Sequence, residues 1–133
     1  MTRRLIFDSH ALLKFFQQEP GAADVERWLR MAHRRRWVRY LCAINLGEII
    51  YTTKRQFGEE RKITVLAHIH RLNFTILPVP NDLIYEAAEY KAAYTMSYAE
   101  CFVLTCAVRY KADIVTGDPE FSKVGHLARI HWV

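Results

Sequence analysis

Ile114-Val115-Thr116-Gly117-Asp118-Pro119-Glu120-Phe121 decides how the rest of the chain is read. A short apolar run bounded by turn residues suits a buried parallel strand. Gly117-Asp118-Pro119 breaks that run, with Asp118 placed to cap a short helix whose first residue is Pro119. Upstream, Ser97-Tyr98-Ala99-Glu100 opens an apolar stretch that predicts a helix from Tyr98 to Tyr110. In open α/β sheets ligands bind beyond the carboxyl ends of the strands. Asp118 is expected at that rim, with Glu100 arriving from the preceding helix.

Working outward, Leu5-Ile6-Phe7 predicts a first strand ending in Asp8, and a helix follows through Leu12, Leu13, Phe15 and Phe16 until Glu19-Pro20-Gly21 stops it. Further helices are predicted over 22–35, 43–57 with Gly58 as its C-terminal cap, and 59–72 with Ile63, Leu66 and Ile69 or His70 along one face. Strands are predicted over 38–42 and 74–77, and Asn81 or Asp82 is placed to cap the helix after Pro80. With strands at 113–116 and near 129–132, the pattern predicts a three-layer α/β/α domain over residues 1–133, with a mainly parallel sheet of about five strands.

The 133 residues are 51% hydrophobic and 25% charged, ordinary for a globular chain. A net charge of +5 permits a polyanionic partner. Cys42, Cys101 and Cys106 are odd in number and lack zinc-type spacing, so they are expected as reduced core residues. No apolar run reaches the ~20 residues that span a bilayer. The run after Arg3-Arg4 stops at Asp8, unlike an export signal, so the expected compartment is the cytoplasm, with no membrane association.

Each acid has an ordinary role open to it. Asp8 and Asp118 stand where helix N-caps stand, and Ser97-x-x-Glu100 is a capping-box pattern. Glu48 lies inside a helix among Ile44, Tyr51 and Thr52, where a carboxylate is costly unless paired or bound to a cation. Together they suggest more. Asp8 and Asp118 end strands on one rim, and Glu48 and Glu100 sit in the first or second turns of helices that begin there. Four carboxylates about 6 Å apart repel one another by a few kcal/mol at an effective dielectric of ~20, so a cation is expected among them. All-oxygen ligation selects magnesium or manganese.

The pieces Leu5-Ile6-Phe7-Asp8-Ser9-His10-Ala11-Leu12, Asn45-Leu46-Gly47-Glu48-Ile49, Ser97-Tyr98-Ala99-Glu100-Cys101-Phe102 and Val115-Thr116-Gly117-Asp118-Pro119-Glu120-Phe121 occur in that order. In them the chain resembles the PIN-domain family, and within it the VapC-type toxins of toxin–antitoxin pairs. The resemblance places the family's acidic quartet on Asp8, Glu48, Glu100 and Asp118. Two positions depart from the family pattern: the third acid is usually Asp and is here Glu100, and His10 stands where Ser is usual.

The resemblance implies a Mg2+- or Mn2+-dependent endoribonuclease leaving a 3′-hydroxyl and a 5′-phosphate, held in check by an antitoxin protein and forming homodimers. Ser9 and Thr116 are the hydroxyls expected to support the acids or position substrate. Arg30, Arg34, Arg35 and Arg36, in the densest basic run, are expected to contact RNA phosphates; a solvated, favourably cationic helix end is the alternative for that run. Phe15, Phe16, Trp28 and Trp37 are expected mainly in the core, some lining a partner groove. The competing functional reading is a binding-only protein of the same fold. A phosphatase or nucleotide-binding enzyme is disfavoured, because no second Asp and no glycine-rich loop follows the first strand.

Overall fold

The structure, a computed structural model, describes residues 2–133. Leu5, Ile6 and Phe7 are all fully buried, as expected of a strand covered on both faces. Strand β1 (Arg4–Phe7) pairs in parallel with β2 (Val38–Cys42) on one side and β4 (Asp113–Thr116) on the other; β3 (Thr75–Leu77) and β5 (Ile130–Trp132) form the edges. The order β3-β2-β1-β4-β5 means that the chain builds outward from β1 and then returns to its other side. The gap between the ends of β1 and β4 is therefore the switch point at which such sheets place their ligands.

The alternation of side chains along each strand divides the core. Leu5 and Phe7 of β1, Leu41 of β2 and Val115 of β4 pack under helices α1 (Ser9–Phe16), α2 (Ala22–Arg35), α3 (Ala43–Phe57) and α4 (Glu59–Arg71). Ile6, Cys42 and Ile114 face the opposite layer, made by α5 (Asn81–Ala93), α6 (Tyr98–Tyr110) and a 3-10 helix, Pro119–Val124. This is the expected α/β/α architecture, with a five-stranded parallel sheet. Gly58, at φ +92°, ends α3 and starts α4 without an intervening loop. The three cysteines are buried and free.

Two local expectations are corrected. Helix α5 begins one residue early, with Pro80 at the N-cap and Asn81 already helical, so neither Asn81 nor Asp82 makes a side-chain cap. Helix α4 buries Val65 and Ile69, whereas Ile63 is 58% exposed and His70 is also exposed. Of the stripe expected from hydropathy, Ile69 is buried and Leu66 half-buried, while Ile63 turns outward and Val65 takes its place in the core. Of the four aromatics, Phe16 is buried, while Phe15, Trp28 and Trp37 are half-buried against the α1–α4 core.

Candidate active site

Asp8 follows β1 in extended conformation and caps α1, its Oδ1 accepting the Ala11 N–H at 2.8 Å. Its Oδ2 accepts the Thr116 hydroxyl at 2.5 Å. The Thr116 oxygen in turn accepts the Asp118 N–H at 3.0 Å, and Asp118 Oδ1 accepts the Glu120 N–H at 3.0 Å, capping the 3-10 helix. One buried threonine thus ties the ends of β1 and β4 together and aims both aspartates. Thr116 is 0% exposed, so its hydroxyl serves Asp8 and does not face the open cleft as a substrate contact. The turn also needs Gly117, since a Cβ there would lie 2.8 Å from the Val133 carbonyl oxygen.

Glu48 arrives from the second turn of α3. Its Oε1 accepts the Ser9 hydroxyl at 2.8 Å and the Asn45 side-chain amide at 3.0 Å. Asn45, 2% exposed, was not singled out from the sequence. Its position three residues before Glu48 on a helix was the available signal. Glu100, 8% exposed, makes both bonds of the capping box: its Oε1 accepts the Ser97 N–H at 2.8 Å, and its own N–H donates to Ser97 Oγ at 3.2 Å. The four acids, with Ser9, His10, Asn45 and Ser97, line a cleft of about 210 Å³.

Burial pushes the Asp8 carboxyl up to about 7, against the pull of the Thr116 and Ala11 hydrogen bonds; the charges of Asp118 and Glu48 raise it further. Burial also pushes Glu100 up to about 7, and contact with Asp118 adds to the rise. Asp118 is lowered, chiefly by that same contact. Glu100 Oε2 is a buried oxygen with no hydrogen-bond partner.

That orphaned oxygen, two carboxylates held high in pKa and an all-oxygen donor set fit a hard cation in kind. The acids are not drawn into a ligand sphere, however. Among the described residues, no three His, Cys, Asp or Glu side chains are close enough together to hold a metal ion.

The basic run is elsewhere. Arg30, Arg34 and Arg35 line a groove of about 470 Å³ along α2, with Arg30 paired to Glu26 at 2.7 Å, and Arg36 is the C-cap of that helix. Helix α2 ends where β2 begins, at the amino edge of the sheet, roughly 13 Å of strand from the acidic rim. None of these four arginines lines the cleft.

The chain matches the family model of the PIN domain over residues 5–127. It belongs to the PIN-domain family. No curated protein matches the sequence. Among solved structures, this PIN domain is similar to VapBC2 from Rickettsia felis, bound to a promoter DNA fragment, at 11% identity over 98% of both chains and a TM-score of 0.80. It is also similar to VapC20 from Mycobacterium tuberculosis, a toxin that cleaves the sarcin–ricin loop, at 16% identity over 91% of this chain and 95% of that one, TM-score 0.75. DNA-bound VapBC from Salmonella typhimurium gives 14% identity over 98% of both chains and a TM-score of 0.75. At these identities the likeness establishes the shared fold.

Proposed function

We propose that this PIN domain is a metal-dependent endoribonuclease, the toxin of a toxin–antitoxin pair, with Asp8, Glu48, Glu100 and Asp118 holding Mg2+ or Mn2+. The observation that carries the reading is the delivery of four carboxylates to one cleft at the sheet's switch point, with Glu100 Oε2 lacking a donor beside Asp118. When bound, the metal lowers the pKa of a water and shields the scissile phosphate. The chain's own residues set the stage for that chemistry. Thr116 fixes Asp8, and Ser9 with Asn45 fixes Glu48.

RNA is the substrate in this reading, and an antitoxin protein covers the acidic rim. Homodimers follow from the same family likeness, and a cytoplasmic location belongs to the same reading. Arg30, Arg34, Arg35 and Arg36 would meet only an RNA several nucleotides long, running from the rim past α2. No helix is long and apolar enough to cross a membrane among the described residues.

The test is cleavage of end-labelled RNA by partner-free protein with magnesium, with manganese and with chelator, beside an Asp118→Asn control. Metal-dependent cutting that the variant loses is the expected result. No cutting of a broad RNA pool with either metal refutes the nuclease. Two observations favour the alternative, a PIN domain that binds RNA or a protein partner without turnover: Glu100 is engaged with Ser97, and among the described residues no three His, Cys, Asp or Glu side chains lie close enough together to hold a metal ion.

A further inference from the structure

Away from the acidic cleft, a second pocket of about 230 Å³ opens where α2, α4 and β2 meet, and Arg39 lines it. Arg39 shares a face of β2 with Leu41, which packs under α1–α4, so its side chain enters that layer. Its Nε is buried and has no hydrogen-bond partner among the described residues. Burial lowers its pKa, yet a guanidinium keeps its charge at any physiological pH. A buried N–H of a cation left without an acceptor is costly, and native proteins keep few of them.

The surroundings supply more cations rather than the missing acceptor. Arg30 of α2 and Arg71 of α4 reach the same pocket, and His33 and His68 stand on its wall. Glu26 is the carboxylate there, and Arg30 already holds it at 2.7 Å. Three guanidiniums against one carboxylate leave a net charge of +2 with both imidazoles neutral. His68 registers that field: it is held below the ordinary imidazole value by burial first, then by Arg71 and Arg61. His33, His68 and Arg71 have an ordinary reason to be cationic, since they stand in the last turns of their helices and offset the dipoles. Arg39 lies on a strand and has no such reason.

We propose that this pocket binds a phosphoryl group, as inorganic phosphate or as the terminal phosphate of a monoester, with Arg39 and Arg71 as its principal donors. One guanidinium fork satisfies a carboxylate. The oxygens of a phosphate point in several directions and accept at once from donors arriving on β2, α2 and α4. Phe15, Leu29 and Leu72 make the apolar part of the wall, a surface for the carbon portion of a monoester. The pocket shares no lining residue with the acidic cleft, so the inference stands or falls apart from the nuclease reading.

Isothermal titration calorimetry in chelator, at constant ionic strength, tests it with inorganic phosphate, adenosine monophosphate, adenosine and succinate. Wild type is expected to bind both phosphates saturably and adenosine not at all. Tighter binding of the monophosphate marks a nucleotide as the source; equal affinities mark the phosphoryl group alone. Arg39→Gln and Arg71→Gln, the latter at an exposed position, are each expected to weaken phosphate binding roughly tenfold or more, the equivalent of one hydrogen bond to a charged group. Arg129→Gln removes the same charge from an exposed position outside the pocket and is expected to change affinity by less than about threefold. Circular dichroism checks that each variant is folded. No saturable binding of either phosphate by wild type up to about 10 mM overturns the inference. So does an equal loss in Arg129→Gln, since net charge alone then attracts the anion. Succinate bound as tightly as phosphate also overturns it, in favour of a carboxylate ligand.

Discussion

Replacing Asp8 by Asn separates the charge of the site from its shape, and the structure sets the size of the effect. Asp8 is 2% exposed, and its carboxyl is raised from 3.8 to about 7, mainly by burial. A raised acid binds its proton in the native chain at pH values where the unfolded chain has already released it. Its contribution to stability is therefore present at low pH and lost as pH rises through the folded value. Between about pH 5 and pH 7 the loss is about 1.4 kcal/mol per pH unit, or roughly 2 to 3 kcal/mol in all. Asn keeps an oxygen for the Ala11 amide and carries no charge, but it gives up the bond from Thr116, a loss of about 0.5 to 1.5 kcal/mol while Asp8 is protonated. The variant is thus expected to be the less stable protein at about pH 5 and to draw level with or overtake the wild type by about pH 8. Urea unfolding of both proteins in chelator, at closely spaced pH values with equal m-values, measures the gap directly. Glu100 titrates over the same range in both proteins and cancels in the difference. A gap that stays constant from pH 5 to pH 8 refutes the reasoning, because Asp8 would then titrate alike in the folded and unfolded chains.

Thr116→Val keeps the shape of a fully buried side chain but removes the donor to Asp8 and the acceptor for the Asp118 N–H; stability measured by urea unfolding should fall by about 1 to 3 kcal/mol. Glu48→Gln retains an oxygen for Ser9 and Asn45, so stability should change by less than about 1 kcal/mol while RNA cleavage is lost, as read from paired unfolding and gel assays. Arg34→Glu combined with Arg35→Glu should weaken RNA binding and flatten its dependence on salt, measured by fluorescence anisotropy at several ionic strengths. An unchanged salt slope would remove these arginines from the RNA path.

Much of the fold was legible because its signals are local. The bounds of α2 and α3 coincide with those predicted, since Glu19-Pro20-Gly21 and Gly58 stop the chain for reasons contained in a few residues. The face of α4 was legible only in part. Hydropathy favoured Ile63, Leu66 and Ile69 or His70; Ile69 is buried, but Val65 rather than Ile63 joins it, because the buried stripe depends on how α4 packs and not on period alone. The start of α5 was missed for a related reason: a cap was sought in Asn81 and Asp82, whereas Pro80, with its fixed φ, already sets the first turn.

The acids were legible in position and ambiguous in role, and the structure shows that the capping role of three of them does not exhaust the carboxylate. Asp8 caps α1 with one oxygen and accepts Thr116 with the other; Asp118 caps the 3-10 helix with one oxygen and keeps the second. Glu100 closes a capping box with Oε1 and leaves Oε2 beside Asp118 without a donor. A carboxylate has two oxygens, and a helix cap uses one. A strand end followed by a helix start therefore fixes an acid rigidly by its structural oxygen while leaving the second free for chemistry or for a neighbouring group. Sequence spacing reports only the first oxygen. Thr116 and Asn45 decide what the acids around them do: Thr116 takes the second oxygen of Asp8, and Asn45 joins Ser9 on a single oxygen of Glu48. No local pattern could have announced the Thr116 bond, because it forms only when β1 and β4, more than a hundred residues apart in sequence, pair as neighbours.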